Sequence, residues 1–127
     1  MASNKQYQIQ ITVQSQYLEE QSEPARQIYS FAYAVKITNT GTAPAQLISR
    51  HWIIQDDNLE VIDIKGLGVV GHQPLLKEGE SFEYSSGCQL KTPTGTMKGS
   101  YFFVAEDGTR FDAQIPEFVL TIPRILH

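Results

Sequence analysis

The stretch SFAYAVKIT, residues 30–38, alternates large apolar residues with small or polar ones at every second position. Its large apolar residues are Phe31, Tyr33, Val35 and Ile37. Neighbouring side chains of a strand point to opposite faces, so this period of two predicts a strand with one buried face. The stretch YQIQITV, residues 7–13, has the same period. Both are typical of half-buried antiparallel strands.

Six further strands are predicted along the chain, at residues 46–55, 59–65, 81–86, 99–106, 109–115 and 118–122. Turn-forming residues separate them, and the Asp-Gly of EDGT (106–109) indicates a tight hairpin. We assign Pro116 to a strand end, because proline cannot donate to a sheet. Residues 17–27 are predicted to form a surface loop with at most one helical turn. The pattern predicts an all-β sandwich of about seven to eight antiparallel strands, with Trp52 packed between its sheets.

The bulk composition indicates one globular domain. The 127 residues suit a single domain, 1–127, with a core at about 7–122 and flexible termini. The net charge is −4 and no two Lys or Arg are adjacent, so we expect no nucleic-acid partner. Unbroken apolar runs reach only five residues, so we expect no membrane insertion. A single cysteine fits a cytoplasmic location.

The segment KGLGVVGHQP, residues 65–74, has glycines in the spacing of a dinucleotide-binding fingerprint: Gly66, Gly68 and Gly71. That fingerprint needs a helix after the glycines and an acidic residue about 20 positions on. Here the next strand follows too soon for a helix, and residues 84–105 contain no Asp or Glu. We therefore expect the glycines to serve the backbone, at positive φ or close approaches. Two alternatives stay open, an anion-binding nest of loop amides and a nucleotide- or polyphosphate-related activity.

Other reactive side chains form no coherent set. His51, His72 and Cys88 could converge as metal ligands or as a Cys–His pair, but their spacing matches no known ligand or nucleophile motif. Asp56–Asp57 and Glu106–Asp107 stand beside turn residues, which makes local hydrogen bonding their expected role. We predict no catalytic residues, no metal site and no cofactor. The candidate ligand or partner surface comprises Arg50, His51, Gly66, Gly68, Gly71 and His72.

Three long stretches, residues 29–56, 66–101 and 111–120, together resemble the bacterial ApaG family. The most specific pieces are Ser49-Arg50-His51-Trp52, Gly68-Val69-Val70-Gly71 with Gln73-Pro74, Ser86-Gly87-Cys88, and Met97, Gly99 and Tyr101. The resemblance covers residues from about 7 to 122.

This resemblance implies a fibronectin type III-like, or immunoglobulin-like, β-sandwich. It also implies an association with cobalt resistance and magnesium efflux, and a gene neighbourhood shared with diadenosine-tetraphosphate hydrolase. Similar domains occur in eukaryotic F-box proteins and in a DNA-polymerase-delta-interacting protein, which favours a binding role. The family has no established catalytic residues. We therefore expect a small binding module with a protein partner or a small anionic ligand, and leave homodimerisation through edge strands as an alternative.

Overall fold

The computed structural model describes residues 6–123 and is built almost entirely from strands. The eight strands are β1 (Ile9–Tyr17), β2 (Tyr29–Asn39), β3 (Ala45–Asp56), β4 (Val61–Leu67), β5 (Leu75–Leu76), β6 (Ser81–Leu90), β7 (Thr94–Ala105) and β8 (Arg110–Thr121). Two single 3₁₀ turns, Glu19–Gln21 and Pro24–Arg26, lie between β1 and β2. The expectation of flexible termini falls on residues 1–5 and 124–127, which lie outside the described residues.

The strands form two antiparallel sheets, which confirms the predicted β-sandwich. One sheet has the order β1-β2-β6, and the other has the order β4-β3-β7-β8, with β5 pairing with β3 beside β4. Apolar side chains from both sheets meet in one core. Burial of such side chains is the main force that holds two sheets together.

The predicted alternation in β2 is confirmed. Phe31, Tyr33, Val35 and Ile37 are all buried in the core. Trp52 on β3 is also buried and packs its indole against the rings of Tyr33 and Tyr101. The tilted pair of Trp52 with Tyr33 joins the two sheets, and such aromatic pairs favour a fixed arrangement.

The last strand differs from its prediction. Residues 109–115 and 118–122 were expected as two strands with Pro116 at an end, but β8 runs continuously from Arg110 to Thr121. The β7–β8 register shifts between Met97 and Gly99, so an irregularity in the pairing lies opposite Pro116. β8 is also an edge strand. A proline is tolerated there because its missing N–H need not bond a neighbouring strand.

The two sheets differ in width. β1 packs against β8 at one side of the sandwich, while at the other side β4 extends beyond the smaller sheet. Ile62 and Ile64 lie opposite the buried Ile54 and Trp52, so they share the inner face of the large sheet. They are nevertheless 49% and 38% exposed. β4 is therefore an edge strand whose inner face is incompletely covered.

Candidate functional site

Arg50 lies directly over Gly66, its partner across β3 and β4. The Arg50 Nη1 donates to the carbonyl oxygens of Leu67 and Gly68, both at 2.9 Å. A Cβ at residue 66 would lie 2.8 Å from the Arg50 guanidinium carbon. Gly66 thus leaves the space in which the guanidinium group lies. Within residues 6–123 Arg50 forms no ion pair, and its described hydrogen-bond acceptors are these two carbonyl oxygens.

The segment after β4 is a tight hairpin rather than an open loop. The N–H of Val69 donates to the carbonyl of His72 and the N–H of His72 donates back, both at 2.8 Å. Val70 and Gly71 form the tip, with φ of 42° and 82°. Positive φ at both central residues is typical of the type I′ turn that joins antiparallel strands.

Gly68 shows why glycine is needed before this turn. Its φ is 62°, and a Cβ there would lie 3.0 Å from the carbonyl carbon of His72. Both conditions disfavour any other residue. The prediction that these glycines serve positive φ and close backbone approach is confirmed at Gly68, and positive φ is confirmed at Gly71.

Several contacts fix the hairpin to the sandwich. Val69 is fully buried, and the ring of His72 lies 5.7 Å from that of Phe82 on β6. The Gln73 Nε2 donates to the Ile48 carbonyl at 2.9 Å, and the Gly68 N–H donates to the same carbonyl at 2.8 Å. A buried apolar anchor and these bonds hold the turn in one orientation.

The hairpin amides bear on the anion-nest alternative. The N–H groups of Gly68, Val69 and His72 all donate to carbonyls within the molecule. A nest needs successive amides that point at the anion. On this hairpin it would therefore depend on the amides of Val70 and Gly71 at the tip.

Three large apolar side chains on and beside the hairpin are exposed to solvent. Leu67 ends β4, Val70 is at the tip and Leu75 begins β5, with exposed fractions of 75%, 52% and 56%. Leu67 and Leu75 lie opposite Ser49 and Gln46 on the outer side of β3. We call Leu67, Val70 and Leu75 the loop surface.

His51 lies on the opposite face of β3 from Arg50. Its Nε2 is 2.7 Å from the Asp63 Oδ1, and Ser100 is its cross-strand partner on β7. It also lines a shallow depression of about 320 Å³ on the outer face of the large sheet. The structure thus gathers Arg50, Gly66, Gly68 and His72 at one end of the sandwich, with Gly71 at the hairpin tip, and places His51 on the other face.

Cys88 does not join the histidines. It lies on the inner side of β6, where its Sγ is 3.8 Å from the sulfur of Met97. Burial raises the pKa of the Cys88 thiol to about 11. A thiol with such a pKa is protonated at neutral pH and a weak nucleophile. The strand predicted at residues 81–86 extends to Leu90, so Cys88 lies within β6 rather than beyond its end.

Three tyrosines inside the sandwich form a cluster that the sequence analysis did not identify. The hydroxyl groups of Tyr84 and Tyr101 are hydrogen-bonded to each other, and Tyr33 lies nearby. Burial raises the pKa of Tyr84 to about 12 and raises those of Tyr33 and Tyr101 as well. The period-two pattern had indicated only that such residues face inward.

The predicted turn role is confirmed for one residue of each acidic pair, Asp56 and Asp107. The Asp56 Oδ1 accepts from the N–H groups of Asn58 and Glu60, at 2.8 and 3.0 Å. Asp107 accepts from the Tyr7 hydroxyl and, at 3.0 Å, from the N–H of Thr109. These hydrogen bonds lower the pKa of the Asp107 carboxyl group. Across residues 6–123 no group of three or more His, Cys, Asp or Glu side chains could hold a metal ion. No helix in that range is long and apolar enough to span a bilayer.

Concave surface is found away from the hairpin. A groove of about 510 Å³ runs over the outer face of the small sheet and is lined by polar residues that include Thr12, Lys36 and Glu83. None of the six residues predicted for the ligand or partner surface lines it.

Comparisons with known proteins match the whole architecture. The model of the ApaG domain family matches residues 19–105. Protein ApaG of Thiobacillus denitrificans is 61% identical over 127 residues, which is 100% of both chains, and Protein ApaG of Nitrosospira multiformis is 58% identical over the same length. A crystal structure of a Bordetella pertussis protein described as putative ApaA has a TM-score of 0.93 and 54% identity, covering 97% of this chain and 100% of its own. A second X-ray structure, from a structural genomics consortium, has a TM-score of 0.87 and 41% identity, covering 94% and 90%.

Proposed function

The chain belongs to the ApaG domain family, and we propose that it is a binding module that holds a partner protein through its loop surface. The surface offers three exposed apolar side chains, Leu67, Val70 and Leu75, on and beside one hairpin. Apolar side chains gathered at one place on a surface are typical of protein-binding sites.

The observation that carries this proposal is the conformation of Val70. A β-branched residue with a φ of 42° is strained, and glycine, asparagine or aspartate would be the ordinary choice at this turn position. Its side chain is half exposed, so packing within the chain does not account for the strain. Strained residues cluster at functional sites, where the surrounding structure holds them in place. Contact of the Val70 side chain with a partner would account for the strain here.

The fixed orientation of the hairpin supports the same proposal. The buried Val69, the His72–Phe82 contact and the Gln73–Ile48 bond already hold the turn in place. A loop that is ordered before binding loses less conformational entropy when the partner docks. The loop surface is therefore preorganised for a partner.

A second candidate function is small-anion binding, including a polyphosphate, beside Arg50. It is favoured by a cation that has no carboxylate partner among the described residues. Against it, Arg50 Nη1 is engaged by two carbonyls and three hairpin amides are bonded internally. Chemical-shift titration with inorganic phosphate and polyphosphate tests it. Shifts confined to the amides of Val70 and Gly71 would support the anion and count against the protein partner.

We propose a non-catalytic role in the cytoplasm, with any effect on cobalt resistance or magnesium efflux exerted through the partner. The raised pKa of Cys88 supports the non-catalytic part, since it disfavours a reactive thiolate. In a deletion strain, wild-type protein should restore cobalt tolerance. Protein carrying Val70→Asp should not restore it, although Val119→Asp, at an equally exposed valine on β8, should.

Site-specific photo-cross-linking tests the partner directly. We would place benzoylphenylalanine at Val70 and, as the matched control, at Val119, which is 53% exposed against 52% for Val70. The proposal expects one discrete adduct from position 70 in cells, and none of the same mass from position 119. Identical adduct patterns from both positions, or none from either, would overturn it.

A further inference from the structure

We propose that two copies of this chain associate through β4, which pairs antiparallel with β4 of the second copy about a two-fold axis at Ile64. This inference goes beyond the proposed function, because it concerns the strand edge rather than the hairpin tip. Leu67 lies at the boundary between the two surfaces. The other participants belong to the edge strand alone.

The hydrogen bonds of β4 establish which residues are free to pair. The N–H of Gly68 donates to Ile48, and the N–H of Asp56 donates to Glu60. Bonded and non-bonded pairs alternate along an antiparallel ladder, so the even-numbered residues of β4 bond β3. The backbone groups of Val61, Asp63, Lys65 and Leu67 therefore point to the open edge.

Those outward-pointing residues restrict the register with a second copy. Hydrogen-bonded pairs must join an odd-numbered residue of one copy to an odd-numbered residue of the other. This pairing also places the inner faces of the two β4 strands on the same side of the joined sheet. An axis at Asp63 would place Asp63 against its own copy, and an axis at Lys65 would place Lys65 against its own copy. An axis at Ile64 instead places Asp63 of each copy opposite Lys65 of the other, so the dimer has two such pairs. Of these three neighbouring registers it alone brings opposite charges together.

The apolar residues of β4 fit the same register. On the inner face, Ile64 meets the second Ile64, and Ile62 lies opposite Gly66. Ile62 and Ile64 extend beyond the small sheet and are 49% and 38% exposed, so pairing would cover apolar area left open in one copy. On the outer face Val61 meets Leu67, the most exposed large apolar residue of the strand. Cross-strand pairs of both kinds stabilise sheets.

Lys65 supplies the charge complementarity. The ion pairs described for residues 6–123 do not include Lys65, and Asp63 is paired with His51 while remaining half exposed. In the dimer Asp63 would accept from both His51 and the second Lys65. Charged residues on an edge normally prevent pairing between sheets. Here their order along the strand makes the edge complementary to itself.

Charge exchange tests the register. We would measure the mass of wild-type protein by sedimentation equilibrium from micromolar to millimolar concentration, together with Asp63→Lys and Lys65→Asp. Each variant alone places like charges opposite one another, and we expect its dimer dissociation constant to rise about tenfold or more. Mixed together, the two variants again pair Lys with Asp, so a heterodimer should form. A wild type that stays monomeric at millimolar concentration, or a dimer insensitive to both changes, overturns the proposal.

A disulfide test is independent of charge. Two copies of Ile64→Cys on the two-fold axis would have Cα atoms about 4.5 Å apart, within reach of a disulfide. In a Cys88→Ala background, which removes the natural cysteine, this variant should cross-link to itself on oxidation. Ile62→Cys is the matched control, because its neighbour in this register is Gly66. Faster cross-linking at residue 62 than at 64 would contradict the register. Both tests can fail while the loop-surface cross-link succeeds, so the two proposals are separable.

Discussion

Arg50 and Gly66 face each other across β3 and β4, with the Arg50 Nη2 2.7 Å from the place that a Cβ at residue 66 would take. Gly66→Ala should therefore displace the guanidinium and weaken its bonds to the carbonyls of Leu67 and Gly68. We expect unfolding free energy, measured by urea denaturation, to fall by about 1–2 kcal/mol. The control is the same change in an Arg50→Ala background, where the methyl group meets no guanidinium. An equal loss in both backgrounds would show that the contact is not the cause.

Gly99 is held against β3 backbone rather than against a movable side chain. A Cβ there would lie 3.0 Å from the carbonyl carbon of His51 and 3.2 Å from the Cα of Trp52. To make room for it, β7 would have to move away from β3. We expect Gly99→Ala to lower the unfolding free energy by about 3 kcal/mol. The matched control is Gly108→Ala in the β7–β8 turn, where φ is +86° but the space is open. Its strain should cost about 1 kcal/mol. Losses of the same size at both sites would contradict the prediction.

Replacing Val70 by a residue that tolerates positive φ should raise the stability of the protein and weaken its binding to a partner. Asparagine tolerates positive φ better than valine, so Val70→Asn should raise the unfolding free energy by about 0.5–1 kcal/mol, measured by thermal or urea denaturation. The same variant should recover less partner in a pull-down. Val119→Asn is the control, because it lies in an extended strand where valine is favoured, and it should lower stability slightly. Destabilisation by Val70→Asn would remove the strain argument.

Because the tyrosines inside the sandwich have raised pKa values, we expect the unfolding free energy to fall at alkaline pH. Burial raises the pKa of Tyr84 from 10.0 to about 12, so above pH 10 the unfolded chain releases this proton before the folded one does. The contribution is fully present below pH 10 and is lost as the pH rises towards 12. Its slope is at most about 1.4 kcal/mol per pH unit for this group. Urea denaturation of wild type and Tyr84→Phe between these pH values checks it. An unchanged slope in the variant would contradict the assignment.

Much of the fold could be predicted because burial on one face leaves a direct trace in sequence. In β2 every second residue is large and apolar, and all four residues so identified are in the core. The Asp-Gly pair likewise predicted the turn between β7 and β8, where Gly108 adopts positive φ. Both patterns lie within a few consecutive residues, so the sequence of that short segment is enough to predict the strand or the turn.

The continuity of β8 could not be predicted in this way. Proline is normally excluded from strands, but that exclusion depends on whether its missing N–H faces a neighbour. At Pro116 the answer depends on the edge position of β8 and on the irregular pairing near Gly99. Neither property is encoded within a few residues of Pro116.

The sequence singled out some residues at the hairpin end of the sandwich, but not how they are arranged. Arg50 and Gly66 were both singled out, yet their contact depends on the register between β3 and β4, and sequence spacing does not specify it. The placement of His51 and Arg50 on opposite faces of β3 could have been predicted, because neighbouring side chains of a strand point to opposite faces. The exposure of Leu67, Val70 and Leu75 was not, because it depends on the end of the small sheet and on the buried position of Val69.

The packing of β1 against β8 has a consequence for how the protein is made. Ser15 on β1 donates to the carbonyl of Val119 on β8 at 3.0 Å, and Tyr7, just before β1, bonds Asp107 in the turn before β8. These contacts join residues about a hundred positions apart. During synthesis the amino-terminal strand is complete long before the last strand emerges from the ribosome. Its final packing must wait until β8 has been synthesised, so the domain completes folding only after its last strand has left the ribosome.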